Sequence, residues 1–441
     1  MNLMQVLREK AYWAIDAVKG SPVQKHLRHI SANLQNRGST FAADQNSVAL
    51  QELLQHATQN IPYYKNLNLP LKLEAFPVTD KNLIREHEHE FLIPGTAKQK
   101  LHKVTTSGST GTPFTVYQNK DKKNRNVADV LYFAKTSGFQ LGYRLYYFRH
   151  WDRQLKKAKP LAYLQNVIPL EVTYLSDSYI SSFLARLKKD PTPKAFIGYP
   201  SAYNSIVNYM QRNAKKPKDY NITSIIANAE TLTRDTKEGM EYYFKCPVVS
   251  RYSNMENGIL AQQMPGKDPY FHINTASYVI EVLDMYTGQP VLDEPGNIVV
   301  TDLYNYSMPL IRYTTGDIGL MTKDPKTGIP MLARVDGRKM DVILNTKGEV
   351  LSAFVSLNTL QYEGILQTQM IQEGPKEYRI RLCITDDFNS EEAIKNEYLE
   401  ILGKDARIVF EYPDEIPLLS SGKRKIMINN YLKKVQDLKN D

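Results

Sequence analysis

The segment Val104–Phe114, VTTSGSTGTPF, concentrates hydroxyl side chains and two glycines in eleven residues. Gly108 and Gly111 let the backbone approach a ligand closely and adopt positive φ. The hydroxyls of Thr106, Ser107, Ser109, Thr110 and Thr112 are of a type that donates to phosphate oxygens, and successive backbone N–H groups in a turn make an anion-binding nest. The stretch is not a Walker loop, because no Lys-Ser/Thr follows its last glycine at the required spacing. A surface loop of small residues is the plainer alternative. The flanks are basic: Lys98, Lys100 and Lys103 precede the stretch, and Lys120, Lys122, Lys123 and Arg125 follow it. Between Lys98 and Lys159 there are fourteen Lys or Arg against three Asp, more than the whole chain's net charge of +9. Focused charge of this kind suits a polyanionic partner such as a nucleotide, coenzyme A or nucleic acid; a solvated basic face is the other reading.

The elements that must position such residues can be read from periodicity. At 441 residues the chain predicts more than one domain. Residues 1–60 carry apolar residues at helical spacing, and Pro62 interrupts the pattern. From about Leu145 to Ile298, AFIGYP, SIIANAE and CPVVSRYS read as buried strands, with SAYNSIVNYMQRNAKK and TRDTKEGMEYYFK as helices between them. That alternation predicts an α/β layered domain with its sites at the strand ends. YVIEVLD and NIVVTDLYN alternate with period two and predict antiparallel strands. After GRKMD the pattern restarts: strands at DVILN, YRIRLCIT and ARIVFEY and a helix at SEEAIKNEYLEIL. The fold class expected is α/β, a large N-terminal layered domain with β elements plus a small C-terminal α+β domain. Two cysteines exclude a disulfide framework and a cysteine-built metal site. No run of about 18 apolar residues predicts a membrane span, and the N-terminus lacks a signal-peptide core, so a cytoplasmic enzyme is the expected class.

Five segments in order give a specific resemblance. TTSGSTGTP, YSNME (Tyr252–Glu256), PLIRYTTGD (Pro309–Asp317), GRKMD (Gly337–Asp341) and SSGKRK (Ser420–Lys425) resemble the phosphate loop, metal-glutamate segment, Arg-Tyr-x-Thr-Gly-Asp segment, hinge and terminal lysine segment of the adenylate-forming superfamily. LLQHATQNIPYYK and PLIRY look most like its phenylacetate–CoA ligase branch, including relatives from polysaccharide gene clusters. The resemblance implies activation of a carboxylic acid by ATP to an acyl-adenylate, then transfer to a thiol, most often coenzyme A. A carrier protein or the amine of a sugar is the alternative acceptor. It implies Mg²⁺ as cofactor, domains at 1–336 and 337–441, no nucleic-acid partner and no stable membrane insertion.

Residue by residue, the resemblance assigns Thr106, Ser107, Gly108, Ser109, Thr110, Gly111 and Thr112 to the ATP phosphates. It assigns Lys423 to the charge developing at the α-phosphate, where a cation lowers the barrier. Glu256 matches the magnesium ligand, a hard carboxylate oxygen. Asp317 matches the acceptor from the ribose hydroxyls, and Arg338 should lie near the ribose or phosphate. Asn228, Ala229 and Glu230 match an adenine-side segment; Ser253 and Asn254 complete the nucleotide set. Tyr252 would stack on the adenine or serve as a core tyrosine. Asp341 matches a hinge about which the small domain changes orientation between the two half-reactions. Met255 departs from the family, which has a hydroxyl residue there; Met340 stands where a more polar residue is usual. REHEHE (Arg85–Glu90) lacks the i, i+4 spacing of a helical zinc pair and reads as solvated. Acid specificity is expected from the region between Tyr143 and Tyr203, where YYFRHWDRQL suggests an aryl or other small acid, with Arg149 or Arg153 holding any second anion.

Overall fold

The structure is a computed structural model, described here for residues 2–106, 114–149, 151, 165–172, 175–266, 269–338, 343–348, 350–351, 359, 362–417 and 425–432. The chain folds as two units, Met1–Thr315 with Leu320–Arg334, and Gly316–Gly319 with Val335–Asp441.

In the first unit, helices α1 (Leu3–Val18), α2 (Pro22–Gln35) and α3 (Thr40–Asn60) occupy the N-terminal sixty residues. A capping box between Asn2 and Gln5 opens α1. Pro62 does not merely break a helix; it opens α4 (Pro62–Asn66), because proline at the first helical position forfeits no hydrogen bond. Helices α5 (Lys81–Glu86) and α6 (Glu88–Phe91) follow. Strands β1 (His102–Thr106) and β2 (Phe114–Gln118) pair antiparallel, with Thr106 opposite Phe114, and lead into α7 (Lys120–Thr136).

The α/β region then runs β3 (Arg144–Arg149), β4 (Val167–Glu171), α8 (Asp177–Lys189), β5 (Lys194–Gly198), α9 (Pro200–Arg212), β6 (Ile222–Asn228), α10 (Arg234–Phe244) and β7 (Val248–Asn254). Strands β8 (Gly258–Gln262), β9 (Phe271–Ile273), β10 (Tyr278–Leu283), β11 (Pro295–Asp302), β12 (Tyr313–Lys323) and β13 (Pro330–Arg338) complete an eleven-stranded sheet in the order β10-β11-β12-β13-β9-β8-β7-β6-β5-β3-β4. Strands β4, β3, β5, β6 and β7 are mutually parallel, and β8 turns back antiparallel on β7. Tyr146, Phe148, Phe196, Ile225, Ala227 and Val248 put one face of the parallel strands against α8, α9 and α10, through Phe183, Tyr203 and Phe244. Each fully buried aromatic contributes about 1.5–3 kcal/mol of apolar transfer free energy. Strand alternation therefore turns the residues between them to the opposite face.

The second unit has its own core. Strands β14 (Ile343–Leu344) and β15 (Val350–Leu351) pair, and β16 (Ile365–Gly374), β17 (Glu377–Ile384), β18 (Arg407–Glu411) and β19 (Met427–Asn429) form a four-stranded sheet ordered β18-β17-β16-β19. Helix α11 (Glu391–Leu402) covers it through Ile394, Tyr398 and Leu402, which meet Met370, Tyr378, Ile380 and Leu382. Among the described residues no helix is long and apolar enough to cross a membrane.

Candidate active site

Glu256 stands in the turn that joins β7 to β8, and three hydrogen bonds hold the turn. Asn257 N donates to Asn254 Oδ1 at 2.9 Å, closing the turn from within. Gln118 Nε2 donates to Glu256 O at 2.9 Å. The Tyr278 hydroxyl donates to Asn257 O at 2.5 Å, and Lys122 Nζ, 3.0 Å from that hydroxyl, pairs at 2.7 Å with Asp302. Both members of that pair are completely buried. Gly258 takes φ +120°, and a Cβ there would lie 2.9 Å from Asn126 Oδ1 and 3.0 Å from the Tyr278 hydroxyl, so only glycine fits the exit from the turn.

The Glu256 carboxylate is itself buried. Its Oε1 accepts from the Tyr313 hydroxyl at 3.1 Å and lies 2.6 Å from Lys81 Nζ. The Glu256 side chain is 3% exposed and that of Lys81 27%, so the lysine marks the side from which the carboxylate is reached. Lys81 is placed by the segment before it. Thr79 N donates to Arg312 O at 3.0 Å, Thr314 N donates to Thr79 O at 2.8 Å, and Asp80 caps α5 by accepting from Leu83 N at 2.9 Å. Arg312 has φ 46°, a left-handed conformation costly for a side chain of its size. Its guanidinium is fixed by bidentate bonds to Glu281, at 3.1 and 3.0 Å, and by Phe76 O at 3.1 Å. The arginine of RYTTGD is thus structural: it holds the strand start that brings Tyr313 to Glu256.

These residues would fit Mg²⁺, which Glu256 would hold through a hard carboxylate oxygen and which would supply positive charge there. No cluster of three His, Cys, Asp or Glu that could hold a metal occurs among the described residues. Glu256 offers a single hard oxygen ligand with a lysine ammonium already standing as its cation. Of the histidines in REHEHE, His87 Nδ1 is 2.8 Å from Glu90, and the His89 side chain is 80% exposed.

The remaining site residues fall as follows. Asn228 ends β6, its Oδ1 buried and without a hydrogen-bond partner among the described residues. Ala229 has φ 69°, a left-handed residue with a side chain at a strand end. Glu230 Oε2 accepts from Ser201 N at 2.9 Å and so caps α9, whose own cap position, Tyr199, supplies no side-chain bond. Tyr252 is 8% exposed and its hydroxyl donates to Thr315 Oγ1 at 3.2 Å, which in turn donates to Ile298 O at 3.2 Å. Ser253 is half-buried, Asn254 is engaged by the turn, and Met255 is 53% exposed. Asp317 is half-buried on β12, within a strand rather than the turn that TGD suggests in isolation. Thr106 closes β1 and Arg338 closes β13. Ser107, Gly108, Ser109, Thr110, Gly111 and Thr112, the hinge Asp341 and the lysine Lys423 lie outside the described residues, as does Arg153.

One expectation needs correction. Lys122 and Arg125 were counted in a basic field open to a partner, but both are completely buried. Arg125 donates to Ser277 Oγ at 2.9 Å and lies over the Tyr304 ring at 4.0 Å. Ser277 Oγ donates to Asp129 at 2.9 Å, and burial pushes that carboxyl up from its ordinary pKa. Charge counting could not see this, because a count does not register burial and the acid that pairs with Lys122, Asp302, is distant in sequence.

The sheet places a second set of side chains beside the Glu256 turn. Phe148, Gly198, Ala227 and Ser250 are aligned across β3, β5, β6 and β7. The next residue on β3, β6 and β7, Arg149, Asn228 and Arg251, therefore alternates to the face away from α8–α10, while Tyr199 follows the end of β5 as the cap position of α9. This is the carboxyl end of the parallel strands, the usual ligand edge of open α/β sheets. Arg149 lies over the rings of Tyr147 and Trp151, at 5.5 and 5.6 Å. Burial pushes Tyr199 up to about 12 and Arg251 down to about 10.

Comparison with known proteins agrees with this architecture. The family model described as the CapK C-terminal domain matches residues 342–430. Protein CapK of Staphylococcus aureus is 26% identical over 384 residues, 81% of this chain and 80% of its own. A phenylacetate-coenzyme A ligase of Pseudomonas putida is 22% identical over 402 residues, 87% of this chain and 84% of its own. A crystal structure of 2-hydroxyisobutyryl-CoA ligase with its acyl-AMP superposes with a TM-score of 0.70 at 17% identity, covering 91% of this chain and 93% of that one. By sequence and fold together, the chain is similar to adenylate-forming CoA ligases, and most of all to the phenylacetate-CoA ligase and CapK relatives.

Proposed function

We propose that this protein is an AMP-forming acid–thiol ligase that activates a small organic acid with ATP and passes the acyl group to coenzyme A. The observation that carries the reading is the buried Glu256, held on a turn at the carboxyl end of parallel strands with, among the described residues, only Lys81 as cation and Tyr313 as donor. A carboxylate so isolated from bulk water and paired with one replaceable ammonium is suited to a divalent ion that arrives with a nucleotide.

When bound, Mg²⁺ supplies charge neutralisation to the phosphates. The protein's part is orientation. Glu256 fixes the metal end of the triphosphate, Asp317 accepts from the ribose hydroxyls, and Asn228, with Ala229 and Tyr252, serves the adenine side. Thr106 to Thr112 donate to the phosphates and Arg338 lies near them. The acid's carboxylate oxygen attacks the α-phosphate, the bond to pyrophosphate breaks, and Lys423 stabilises the charge developing there. A thiolate sulfur then attacks the acyl carbon, AMP leaves with the bonding pair, and a thioester remains. The small C-terminal domain, hinged at Asp341, serves both half-reactions. The phenylacetate-CoA ligase relatives favour coenzyme A as acceptor. The test of that choice is AMP release at saturating acid and ATP with and without free coenzyme A. A large rise on adding coenzyme A is expected; release indifferent to it would point to a different acceptor.

A further inference from the structure

One guanidinium in the first unit is not used by anything described so far. Arg251 sits on β7 directly before Tyr252 and is 6% exposed. Its Nε donates to Gln262 Oε1 at 2.7 Å, and Gln262 is in turn anchored, its Nε2 donating to Phe133 O at 2.9 Å and to Ser137 Oγ at 2.8 Å. That is the guanidinium's only hydrogen bond to the described residues, and Nη2 is buried with no partner among them. A buried cation with an unanswered donor is disfavoured, so Nη2 calls for a partner beyond the described residues. Arg251 is not a spare surface base: its stem is fixed and its fork is held rigid by Gln262.

Its position says what the use is. Arg251 is aligned with Asn228 on β6, whose Oδ1 is also without a partner among the described residues, on the face that carries Arg149 and Tyr147. Glu256 is five residues further along the same strand and turn, at most about 17 Å away at strand rise. A small acid whose carboxylate is activated near Glu256 would therefore lay its acyl portion along this face. The face is aromatic, but it is not a hydrocarbon slot, because it has a buried guanidinium in it.

Building on the acid-activating function proposed above, we propose that Arg251 is a specificity-determining residue: it donates to an oxygen on the acyl portion of the acid, a hydroxyl or a second carboxylate, and so selects oxygen-bearing acids over hydrocarbon acids of equal size. A site built around a charged donor rejects the ligand that lacks the acceptor, because the donor is then left unpaired.

The experiment is ATP–pyrophosphate exchange by the full chain with matched acids: butanoate, 3-hydroxybutanoate and butanedioate, and phenylacetate with 4-hydroxyphenylacetate. In the series the enzyme accepts, the oxygen-bearing member should have a KM lower by roughly 10- to 100-fold, the discrimination one charged hydrogen bond gives. In Arg251→Met that ratio should collapse toward one, while thermal melting confirms a folded protein. Should that variant not melt cooperatively, Arg251→Lys, which keeps the charge but loses the fork, should show an intermediate ratio. The wild-type comparison stands whichever variant folds. Hydrocarbon acids used as well as their oxygenated partners, or a ratio unchanged in Arg251→Met, would overturn the assignment while leaving acid activation intact. Exchange with no acid would overturn the underlying reading, and this proposal with it.

Discussion

Replacing Lys81 by methionine removes the cation that faces Glu256 while keeping the length of the side chain. The pair is close, at 2.6 Å, and asymmetric, with the glutamate 3% and the lysine 27% exposed. Breaking a fully buried pair costs about 3–5 kcal/mol, and an exposed one contributes about 0–1 kcal/mol. The lysine's partial exposure and the surviving hydrogen bond from Tyr313 place this loss between those limits, at about 1.5–3 kcal/mol. In a unit of this size that lowers the ligand-free melting temperature by about 2–4 °C. The effect of Mg²⁺ with a non-hydrolysable ATP analogue should run the other way. In the parent an arriving ion would have to displace Lys81; in the variant it would meet a carboxylate with no other cation among the described residues, so the stabilisation by bound ligand should be larger. The assay is thermal unfolding of both proteins without ligand, with nucleotide alone, and with nucleotide plus Mg²⁺. A melting temperature within about 1 °C of the parent, together with the same Mg²⁺ increment in both, would refute the view that Lys81 holds the metal carboxylate.

Three further outcomes are expected. Asp317→Ala should weaken ATP binding by roughly 1–3 kcal/mol, the loss of a charged acceptor; calorimetry showing an unchanged affinity would exclude the ribose role. Lys423→Ala should lose most pyrophosphate exchange with fold and ATP affinity nearly intact, because a charge aimed at the transition state adds little to ground-state binding; exchange at the parental rate contradicts this. Gly258→Ala should cost about 1–3 kcal/mol and reduce exchange, since its φ of +120° and the contacts with Asn126 and Tyr278 leave no room for a methyl group; a variant as stable and active as the parent would show that the turn does not depend on this backbone.

What the sequence made legible was whatever is local. AFIGYP, SIIANAE and CPVVSRYS are β5, β6 and β7, because short apolar runs between helical periods have no other way to be buried in a parallel sheet. Glu256 could be singled out because the residues around it form a recognisable pattern in chain order. Its surroundings could not. Lys81, Gln118, Tyr278 and Tyr313 come from four separate stretches, and nothing in VTDKNLIRE ties its lysine to a carboxylate so far along the chain. Lys122 illustrates the converse: in sequence it belongs to a basic run, whereas its meaning is set by Asp302. The aspartate of TGD shows how weak turn chemistry is beside sheet pairing, since it is part of a long strand. Arg251 was passed over because one arginine inside a strand pattern carries no local signal; only burial and the missing partner mark it.

The central claim is that Glu256 serves the activation of a carboxylic acid by ATP, and acid-dependent ATP–pyrophosphate exchange measures it most directly. The parent should incorporate labelled pyrophosphate into ATP only when an acid from the panel and Mg²⁺ are both present. Glu256→Gln, which keeps the size of the side chain and removes the charge, should reduce that rate by about 100- to 1,000-fold, the scale of losing one preorganised electrostatic contact. Exchange that proceeds without any acid, or that is undiminished in Glu256→Gln, would contradict the account.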